Sequence, residues 1–566
     1  MDSSVNSIIK LAMSGDPNAM NSLGFKYTYA EDVEKNQEKA REWYEKAANS
    51  GHSGAMYSLA LIFLNGEGAE KNPAMAMKWL EKAAGAGIPG AMRVMGRMYA
   101  EGDSVEINPA KAFEWYLKAA NAGDPVAMYF IGSIYAKGET AEIDQERALE
   151  WYEKSAAAGD FRAMYALGLI YANGEGVARN HQKSREWLEK AAAAGNYRAM
   201  FRLGLMYSQG EGVTKDPVKA REWHEKAAMA GDAGSMFILG RMHAKGRRVP
   251  VDLWKAREWY EKAAEANNAD AMIYLAMMYA QGEGVEKNQE KAKEWYEKAA
   301  LTGDARAMVS LGRFYLQGKG PGNDPEKARE WYEKGSATGD SRSMFLLGRM
   351  YAKGEGVRVD RWKAREWFEK SASAGNADAM YSIGLMYAKG EGVDKDKKLA
   401  GEWYEKSAIA GNARAMFNLG LMYASGGGAE KNPVTAREWF EKAAELGDED
   451  SMLRLGMLYA NGEGTGKDLS KAREWYEKAA VAGNARAMFN LGSMYAKGVG
   501  AEKDTVKSLE WFEKAAAKES PDAMYALGLM YSKGEGVEKD PVRSREWLEK
   551  ASSIGHAGAK ARLAKC

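Results

Sequence analysis

The sequence predicts an all-α solenoid built from fifteen helix-turn-helix repeats of 36 residues each. Two regularities support this fold class. A tryptophan recurs every 36 residues from Trp43 to Trp547, and a methionine keeps the same step from Met20 to Met524, with no insertion or deletion. Repeats of this length cannot bury their apolar faces alone, so they stack on their neighbours in a continuous array.

The first helix of each repeat carries the methionine. In residues 412–425, NARAMFNLGLMYAS, the side chains of Ala415, Met416, Leu419 and Tyr423 recur at helical spacing and share one face. Glycine stands four residues after the methionine in thirteen of the fifteen repeats, with Ala60 and Ala276 as the exceptions. Because glycine inside a helix costs about 1 kcal/mol relative to alanine, we expect a close approach of the second helix there, near its tryptophan.

The turn and the second helix follow in the same order in every repeat. Gly-x-Gly pairs such as Gly174 and Gly176 come after a helix rather than a strand, so they predict inter-helix turns rather than phosphate loops. Residue 36 and every 36th residue through Asp540 is Asn or Asp, and six of these precede a proline. A capping side chain followed by proline indicates a helix start, as in residues 468–480, DLSKAREWYEKAA.

The junction between repeats is also regular. The second helix ends at a glycine in all but two units, where Asn267 and Glu519 take its place, and the next residue is usually Asp or Asn. We expect the glycine to adopt the left-handed conformation that ends one helix and the polar residue to cap the next.

Charge is balanced, with 80 Lys and Arg against 79 Asp and Glu, which argues against nucleic acid or an anionic membrane as partner. The pattern of Arg473, Glu474, Glu477 and Lys478 predicts Arg–Glu and Glu–Lys pairs one turn apart on each second helix. The single cysteine is Cys566, and no apolar run of about 18 residues predicts membrane insertion. The N-terminal residues lack a signal-peptide pattern, so we expect a cytoplasmic location.

The repeat resembles a known family. The order Ala-Met-Tyr-x-Leu-Gly-x-Met-Tyr-Ala-x-Gly-Glu-Gly-Val, then Asp-x-x-Lys-Ala-x-x-Trp-Tyr-x-Lys-Ala-Ala-x-x-Gly, is similar to the Sel1-like repeat, a relative of the tetratricopeptide repeat. The resemblance implies a right-handed α/α superhelix that serves as an adaptor or scaffold. It covers residues 16–555, leaving degenerate half-repeats as caps at residues 1–15 and 556–566.

Catalytic and cofactor motifs are weak. Residues 462–467, GEGTGK, are one residue short of a Walker A spacing and precede Asp468 rather than Ser or Thr. His224 and His243 could approach one another on adjacent helices, but no cysteine or acidic cluster completes a metal site. We therefore expect no metal, no cofactor and no enzymatic activity.

Helical geometry places the predicted binding residues opposite the packed face of the first helix. With the methionine at 0° and about 100° per residue, the positions two before it and two, five and nine after it fall at about 140–200°. These positions, the variable arc, differ most between repeats, and in related superhelices the first helix lines the concave surface. The arginines of the predicted groove are Arg162, Arg198, Arg202, Arg241, Arg306, Arg313, Arg342 and Arg349.

Four of these arginines, at 306, 313, 342 and 349, come from adjacent repeats and could form one patch. Guanidinium groups suit carboxylate or phosphate recognition. The alternative is that they pair with neighbouring acidic side chains of the chain itself.

Two further tryptophans fall outside the period. Trp254 and Trp362 each precede the repeat tryptophan by five residues, which turns them about 220° onto the outer face. They are candidate docking residues, although packing over the stems of Lys and Arg explains them equally well.

These observations favour a non-enzymatic scaffold that binds a protein or an extended peptide, with acidic or C-terminal carboxylate features, in the concave groove. A first alternative is a stoichiometric inhibitor or immunity-type protein that wraps one folded target. A second is a β-lactam-processing enzyme like some cysteine-rich relatives, although this chain has one cysteine and no evident nucleophile and base pair.

Overall fold

The computed structural model describes residues 3–30, 33–103, 105–139, 142–246, 250–317 and 323–564, and the regular elements in these ranges are thirty-two α-helices. The chain divides into two compact units, Met1–Lys287 and Asn288–Cys566. Helices of the first unit are α1 Ser3–Met13, α2 Pro17–Tyr29, α3 Gln37–Asn49, α4 Ser53–Asn65, α5 Pro73–Gly85, α6 Pro89–Glu101, α7 Pro109–Asn121, α8 Pro125–Lys137, α9 Gln145–Ala157, α10 Phe161–Asn173, α11 His181–Ala193, α12 Tyr197–Gln209, α13 Pro217–Met229, α14 Ala233–Lys245, α15 Leu253–Glu265 and α16 Ala269–Gln281.

The second unit has the same organisation. Its helices are α17 Gln289–Leu301, α18 Ala305–Gln317, α19 Pro325–Ala337, α20 Ser341–Lys353, α21 Arg361–Ser373, α22 Ala377–Lys389, α23 Lys397–Ile409, α24 Ala413–Ser425, α25 Pro433–Glu445, α26 Glu449–Asn461, α27 Leu469–Val481, α28 Ala485–Lys497, α29 Thr505–Ala517, α30 Pro521–Lys533, α31 Pro541–Ser553 and α32 Ala557–Leu563. Even-numbered helices from α2 to α30 are the first helices of repeats, and the odd-numbered helices that follow are the second helices. Within each unit, every helix packs against its neighbours in sequence.

The predicted caps are confirmed at all fifteen second helices. In each, the Asn or Asp side chain accepts a hydrogen bond from a backbone N–H of the first turn. The same cap closes the hairpin, since its own backbone N–H donates to a carbonyl near the end of the first helix, as from Asn180 to Tyr171 at 2.8 Å. The register of the two helices is therefore fixed by local hydrogen bonds.

The Gly-x-Gly pairs form inter-helix turns, as predicted. Gly174 ends α10 in the left-handed conformation with φ of 78°, and Gly176 has φ of 71°. A β-carbon at Gly176 would lie 2.4 Å from Cβ of Gln145, the first residue of the preceding second helix. The second glycine thus permits contact between neighbouring repeats.

The junctions between repeats have the predicted left-handed residue. Gly159 has φ of 92°, and the Asp160 carboxylate then accepts a hydrogen bond from the backbone N–H of Arg162 at 2.8 Å to cap α10. The two exceptions keep this geometry, with φ of 64° at Asn267 and 59° at Glu519. The backbone path is therefore preserved where the glycine is missing.

The predicted close approach of the second helix at the mid-helix glycine, near its tryptophan, is confirmed. The side chain against each glycine belongs to the residue after the repeat tryptophan rather than to the tryptophan. These partners are Tyr44, Tyr116, Tyr152, Leu188, His224, Tyr260, Tyr332, Phe368, Tyr404, Phe440, Tyr476, Phe512 and Leu548. They are buried, whereas the tryptophan beside each is only half-buried, because successive helical positions are about 100° apart.

Of the two kinds of ion pair predicted on the second helices, the Arg–Glu pairs are common and the Glu–Lys pairs are rare. Nine Arg–Glu pairs one turn apart lie within 3.0–3.7 Å. Among the described residues one second-helix Glu–Lys pair, Glu366 with Lys370, is within 4 Å. In all fifteen repeats the lysine ammonium instead lies 4.0–4.7 Å from the centre of the repeat tryptophan ring.

The first and last helices pack on the repeats beside them. Helix α1 packs on α2 and buries Val5 and Ala12, and α32 packs on α31 and buries Ala559. Residues 1, 2, 565 and 566, including Cys566 and the ends of both predicted caps, lie outside the described residues.

Candidate functional site

Three cavities occur at the same place in different repeats, between two successive first helices with a second helix at the base. One lies between α12 and α14 over α13, with a volume of about 710 Å³. The others lie between α20 and α22 over α21, at about 550 Å³, and between α28 and α30 over α29, at about 470 Å³. Cavities of this size fit small molecules or side chains.

Positions of the variable arc recur among the residues that line these cavities. In the cavity between α20 and α22, Asp378 stands two positions before a repeat methionine, Arg349 stands five after one, and Lys353 and Lys389 stand nine after one. The buried residue after the tryptophan, here Phe368, forms the base. First-helix side chains thus form the walls and second-helix side chains the base.

Three of the eight predicted arginines are paired with acidic side chains, as the alternative interpretation expects. The Arg162 guanidinium contacts the Asp160 carboxylate through Nε at 3.1 Å, and this bond raises the pKa of Arg162. Arg306 makes the equivalent contact with Asp304, with Nη2 and Oδ2 2.6 Å apart. Arg202 Nη2 lies 2.9 Å from Oε2 of Glu211 in the following turn.

The four arginines of the proposed patch differ in their surroundings. Burial raises the pKa of Tyr332, and the positive charges of Arg313 and Arg349 both oppose this rise. Arg306 instead binds Asp304 at the start of α18, about two helical turns before Arg313. Arg342 is exposed at the start of α20.

The remaining two arginines differ in their surroundings. Arg198 is exposed, with its guanidinium 5.9 Å from the Tyr197 ring. Arg241 is half-buried in the wall of the cavity between α12 and α14, 5.8 Å from the Phe237 ring.

The predicted contact between the two histidines is not among the described hydrogen bonds and ring contacts. His224 is buried at the base of the cavity between α12 and α14, with Nδ1 3.2 Å from Oγ of Ser235. Burial lowers the pKa of His224 to about 4. Burial also lowers the pKa of His243, where the charged neighbours that contribute include Lys255 and Asp252. The two rings therefore occupy separate environments.

The outer-face tryptophans are exposed, Trp254 by 55% and Trp362 by 63%. Each is the second residue of its helix and follows an exposed valine, Val251 or Val359, three positions earlier. Each valine lies in the turn before its helix, and we call each Trp–Val pair a tryptophan patch; none of these four residues lines the three cavities.

A metal-binding cluster and a membrane-spanning helix would be two further kinds of functional feature. Within them no group of three or more His, Cys, Asp or Glu side chains is placed to hold a metal ion. No described helix is long and apolar enough to cross a membrane.

Sequence reasoning missed the lysines of the cavity walls. Lys353 and Lys389 line one cavity, and Lys497 and Lys533 line another. All four stand nine positions after a repeat methionine, a position already assigned to the variable arc. The variable arc therefore carries a series of lysines in addition to the predicted arginines.

Comparison with known families matches fifteen consecutive copies of the Sel1 repeat. The matched residues are 17–52, 53–88, 89–124, 125–160, 161–196, 198–232, 233–268, 269–304, 305–340, 341–376, 377–412, 413–448, 449–484, 485–520 and 521–556. No curated protein matches the chain.

Three solved structures illustrate the similarity. The crystal structure of c5321, a protective antigen of uropathogenic Escherichia coli with an SLR fold, is 34% identical over 80% of this chain and 97% of its own, with a TM-score of 0.44. A Sel1 repeat protein from Oxalobacter formigenes is 32% identical over 55% and 90%, with a TM-score of 0.45. Immunity protein Pa5087 from Pseudomonas aeruginosa is 22% identical over 41% and 83%, with a TM-score of 0.28.

The sequence matches and the repeated helical hairpins agree in period, order and extent. Each matched segment contains the methionine helix and the tryptophan helix described above, joined by the inter-helix turn. The chain belongs to the Sel1 repeat family.

Proposed function

We propose that the chain is a non-enzymatic scaffold whose first-helix surface binds a protein or an extended peptide bearing acidic groups. Sel1 repeat proteins are generally protein-interaction scaffolds and typically are not enzymes. A cytoplasmic location stays a prediction of the sequence.

The cavity between α20 and α22 is the main support for this proposal. Five cationic side chains line it, against two acidic ones, Asp378 and Glu391. The cationic residues are Arg349, Lys353, Arg361, Lys389 and Arg414. Aromatic rings of Phe345, Phe368 and Tyr381 complete the lining. A recess with excess positive charge and aromatic surface suits an acidic segment that also carries apolar side chains.

The mechanism of binding follows from a pre-formed surface. The cavity walls are helices whose ends are fixed by caps and left-handed turns, so the scaffold loses little conformational freedom when it binds. Contacts in successive repeats then add affinity without an added ordering cost to the protein. Cations along the surface also favour encounter with an acidic partner, and this effect weakens as salt concentration rises.

The test is affinity capture from a lysate of the native host with four forms of the full chain. The groove variant carries Arg349→Glu, Lys353→Glu and Lys389→Glu. The charge-matched control carries Lys10→Glu, Lys78→Glu and Lys398→Glu, at exposed positions outside the three cavities. The outer variant carries Trp254→Ser and Trp362→Ser. Circular dichroism checks that each form is folded, and mass spectrometry identifies the bound proteins.

We expect one partner to be captured by the intact chain, the charge-matched control and the outer variant, and to be lost by the groove variant. A synthetic poly-glutamate peptide should displace that partner. Retention by the groove variant together with loss by the outer variant would refute groove binding and assign the partner to the tryptophan patches. A captured folded enzyme that is inactive in a one-to-one complex would support the inhibitor or immunity alternative. The likeness to Pa5087 does not bear on this choice, since at 22% identity it shows the fold alone.

A further inference from the structure

The cavity between α12 and α14 differs from its two counterparts in its base. The buried residue after the repeat tryptophan is Phe368 in one counterpart and Phe512 in the other, but His224 here. The imidazole ring is smaller than a phenyl ring, and this cavity has the largest volume of the three, about 710 Å³. The His224 side chain is 1% exposed and its Nδ1 is held by Ser235. A polar ring therefore stands where the equivalent cavities have only carbon.

The charges that line this cavity are of one sign. Among the described residues that line it, the cationic ones are Lys215, Arg241 and Lys245, and none is an aspartate or a glutamate. Each of the other two cavities has two carboxylates in its lining, Asp378 and Glu391 in one and Asp522 and Glu535 in the other. The described walls of this cavity therefore present no carboxylate that would repel an incoming anion.

Arg241 has an unmet hydrogen-bonding requirement. Its Nε is buried without a hydrogen-bond partner. Other arginines with a buried Nε, such as Arg221 and Arg257, face a glutamate carboxylate at 3.4 Å, but no ion pair of Arg241 occurs among the described residues. The Arg241 guanidinium thus forms part of the cavity wall without an acidic partner among the described residues, so its charge can attract an oxyanion there.

Tyr260, on the second helix of the same repeat, is a neighbour of Arg241. The Tyr260 hydroxyl is also buried without a hydrogen-bond partner, and the Arg241 charge acts on it. Packing of the guanidinium near the Phe237 ring holds it in place. The donor group is thus positioned by apolar contacts rather than by an acid, which leaves its charge available to a ligand.

We propose that the cavity between α12 and α14 binds an oxyanion, a carboxylate or a phosphate group, through the Arg241 guanidinium with Lys215 and Lys245 at its rim. Its role as the anchor for one acidic group of a longer partner rests on the proposed function. The oxyanion site itself does not, because small anions can occupy it without a peptide.

The test uses the full chain labelled with ¹³C at the methionine methyl groups. Met242 lines this cavity and Met386 lines the one between α20 and α22, so the second methyl group is an internal reference. Each signal is assigned by a Met→Leu substitution. The probes are glutarate, inorganic phosphate and glutaramide, which is a neutral analogue of glutarate, titrated at constant ionic strength and neutral pH.

We expect glutarate or phosphate to shift the Met242 signal along a saturable curve, and glutaramide to leave it unchanged. A response to glutarate assigns the site to carboxylates, and a response to phosphate alone assigns it to phosphoryl groups. Arg241→Gln should weaken binding at least about tenfold, as expected for loss of a charge-assisted hydrogen bond. The matched control is Arg97→Gln, at the equivalent repeat position beside Glu101, and it should bind as the intact chain does.

Lys245→Gln is a second variant, at an exposed position where loss of packing cannot explain an effect. It should weaken binding by about threefold, in keeping with a solvent-screened charge. Equal shifts with glutaramide, parallel non-saturating shifts of Met242 and Met386, or an unchanged affinity in Arg241→Gln would overturn the site. If small anions bind but no acidic partner is captured, the oxyanion site stands and the scaffold proposal fails. If an acidic partner is captured but small anions do not bind, the scaffold proposal stands and the oxyanion site fails.

Discussion

At the scale of single residues, His224 is the least expected side chain of the core. The equivalent position in other repeats holds Tyr, Phe or Leu against the mid-helix glycine. The histidine keeps the contact, since a β-carbon at Gly204 would lie 2.6 Å from its Cε1. Burial disfavours the imidazolium and lowers the pKa of His224 from 6.5 to about 4. The ring is therefore neutral in the folded chain at neutral pH.

This shift predicts a loss of stability in mild acid. Below pH 6.5 the unfolded chain binds a proton at this residue that the folded chain does not, so the free energy of unfolding falls as the pH drops from 6.5 toward 4. We expect the contribution of His224 to be roughly 2 kcal/mol lower at pH 5 than at pH 7. His224→Phe, which copies Phe368 and Phe512, should have a correspondingly flatter profile.

Urea unfolding of both forms at pH 7, 6 and 5 measures this effect. Carboxylates that titrate in the same range are common to both proteins, so they cancel in the difference between the two profiles. Parallel profiles would show that His224 is solvated or protonated in the folded chain.

The mid-helix glycine supports a second prediction at this scale. A β-carbon at Gly240 would lie 2.5 Å from Cδ1 of Tyr260, a fully buried ring. Gly240→Ala should therefore lower the free energy of unfolding by about 1–3 kcal/mol, in spite of the better helix propensity of alanine. Thermal and urea unfolding measure the change.

Two matched substitutions identify the cause. Gly85 is the last residue of α5 and has no atom within 4 Å of its β-carbon position, so Gly85→Ala should be neutral or slightly stabilising. The repeat with Ala60 has Leu80 in the same core cluster, where most repeats have an aromatic ring. Adding Tyr260→Leu to Gly240→Ala should therefore recover part of the loss. No recovery would mean that the ring is not the obstacle.

At the scale of elements, the lysine over each tryptophan explains why the predicted Glu–Lys pairs are largely replaced. Both interactions are available to the same lysine, one turn from a glutamate and three residues from a tryptophan. An exposed ion pair on a helix contributes about 0.3–0.5 kcal/mol. A cation over an indole contributes about 0.5–1 kcal/mol and also covers a half-buried ring with the lysine stem. The ring contact is at least as favourable, and it occurs in every repeat.

The repeat junction supports a prediction about the backbone. Glu519 occupies the left-handed conformation with φ of 59°, where most repeats have glycine. This conformation costs a residue with a β-carbon about 1–2 kcal/mol. Glu519→Gly should therefore raise the free energy of unfolding by roughly 1 kcal/mol, after allowing for the greater entropy of glycine in the unfolded chain.

Differential scanning calorimetry of Glu519→Gly against the intact chain measures this gain. The matched control is Lys518→Gly, at the C-cap of α29, where φ is −97° and glycine relieves no strain. That substitution should be neutral or destabilising. Equal effects of the two substitutions would show that φ at residue 519 is not the cause.

Local elements of the fold could be predicted from the sequence, whereas side-chain partners could not. The Asn and Asp caps and the left-handed junctions depend on a few consecutive residues, so they are readable from sequence. The side chain that faces each glycine is set by the rotation of the second helix about its axis. The sequence therefore indicates the neighbourhood of the tryptophan, but not that the residue after it makes the contact. Likewise, Arg306 shares a helix face with Arg313 but lies at the start of α18, where it pairs with Asp304. Whether two residues on one face meet depends on their positions along the helix as well as on the face.

At the scale of the whole molecule, each repeat depends on its neighbours. Within each unit the helices pack mainly against those before and after them in sequence. The buried cluster that includes Phe440 and Leu455, for example, draws its buried residues from α25 and α26. Stability in such an array is close to a sum of repeat and nearest-neighbour terms. A local defect should therefore open a segment rather than the entire chain.

Leu455→Ala tests this expectation in the second unit. Leu455 is fully buried on α26, and its truncation should cost about 2–5 kcal/mol. Hydrogen exchange measured by mass spectrometry should show lost protection in α25, α26 and α27, with α18 to α20 nearly unchanged, because the lost contacts lie between neighbouring repeats. Leu446→Ala is the control, since that leucine is exposed at the C-cap of α25. A uniform loss of protection across α18 to α31 would show that the second unit unfolds as one cooperative body, and the nearest-neighbour description would then fail.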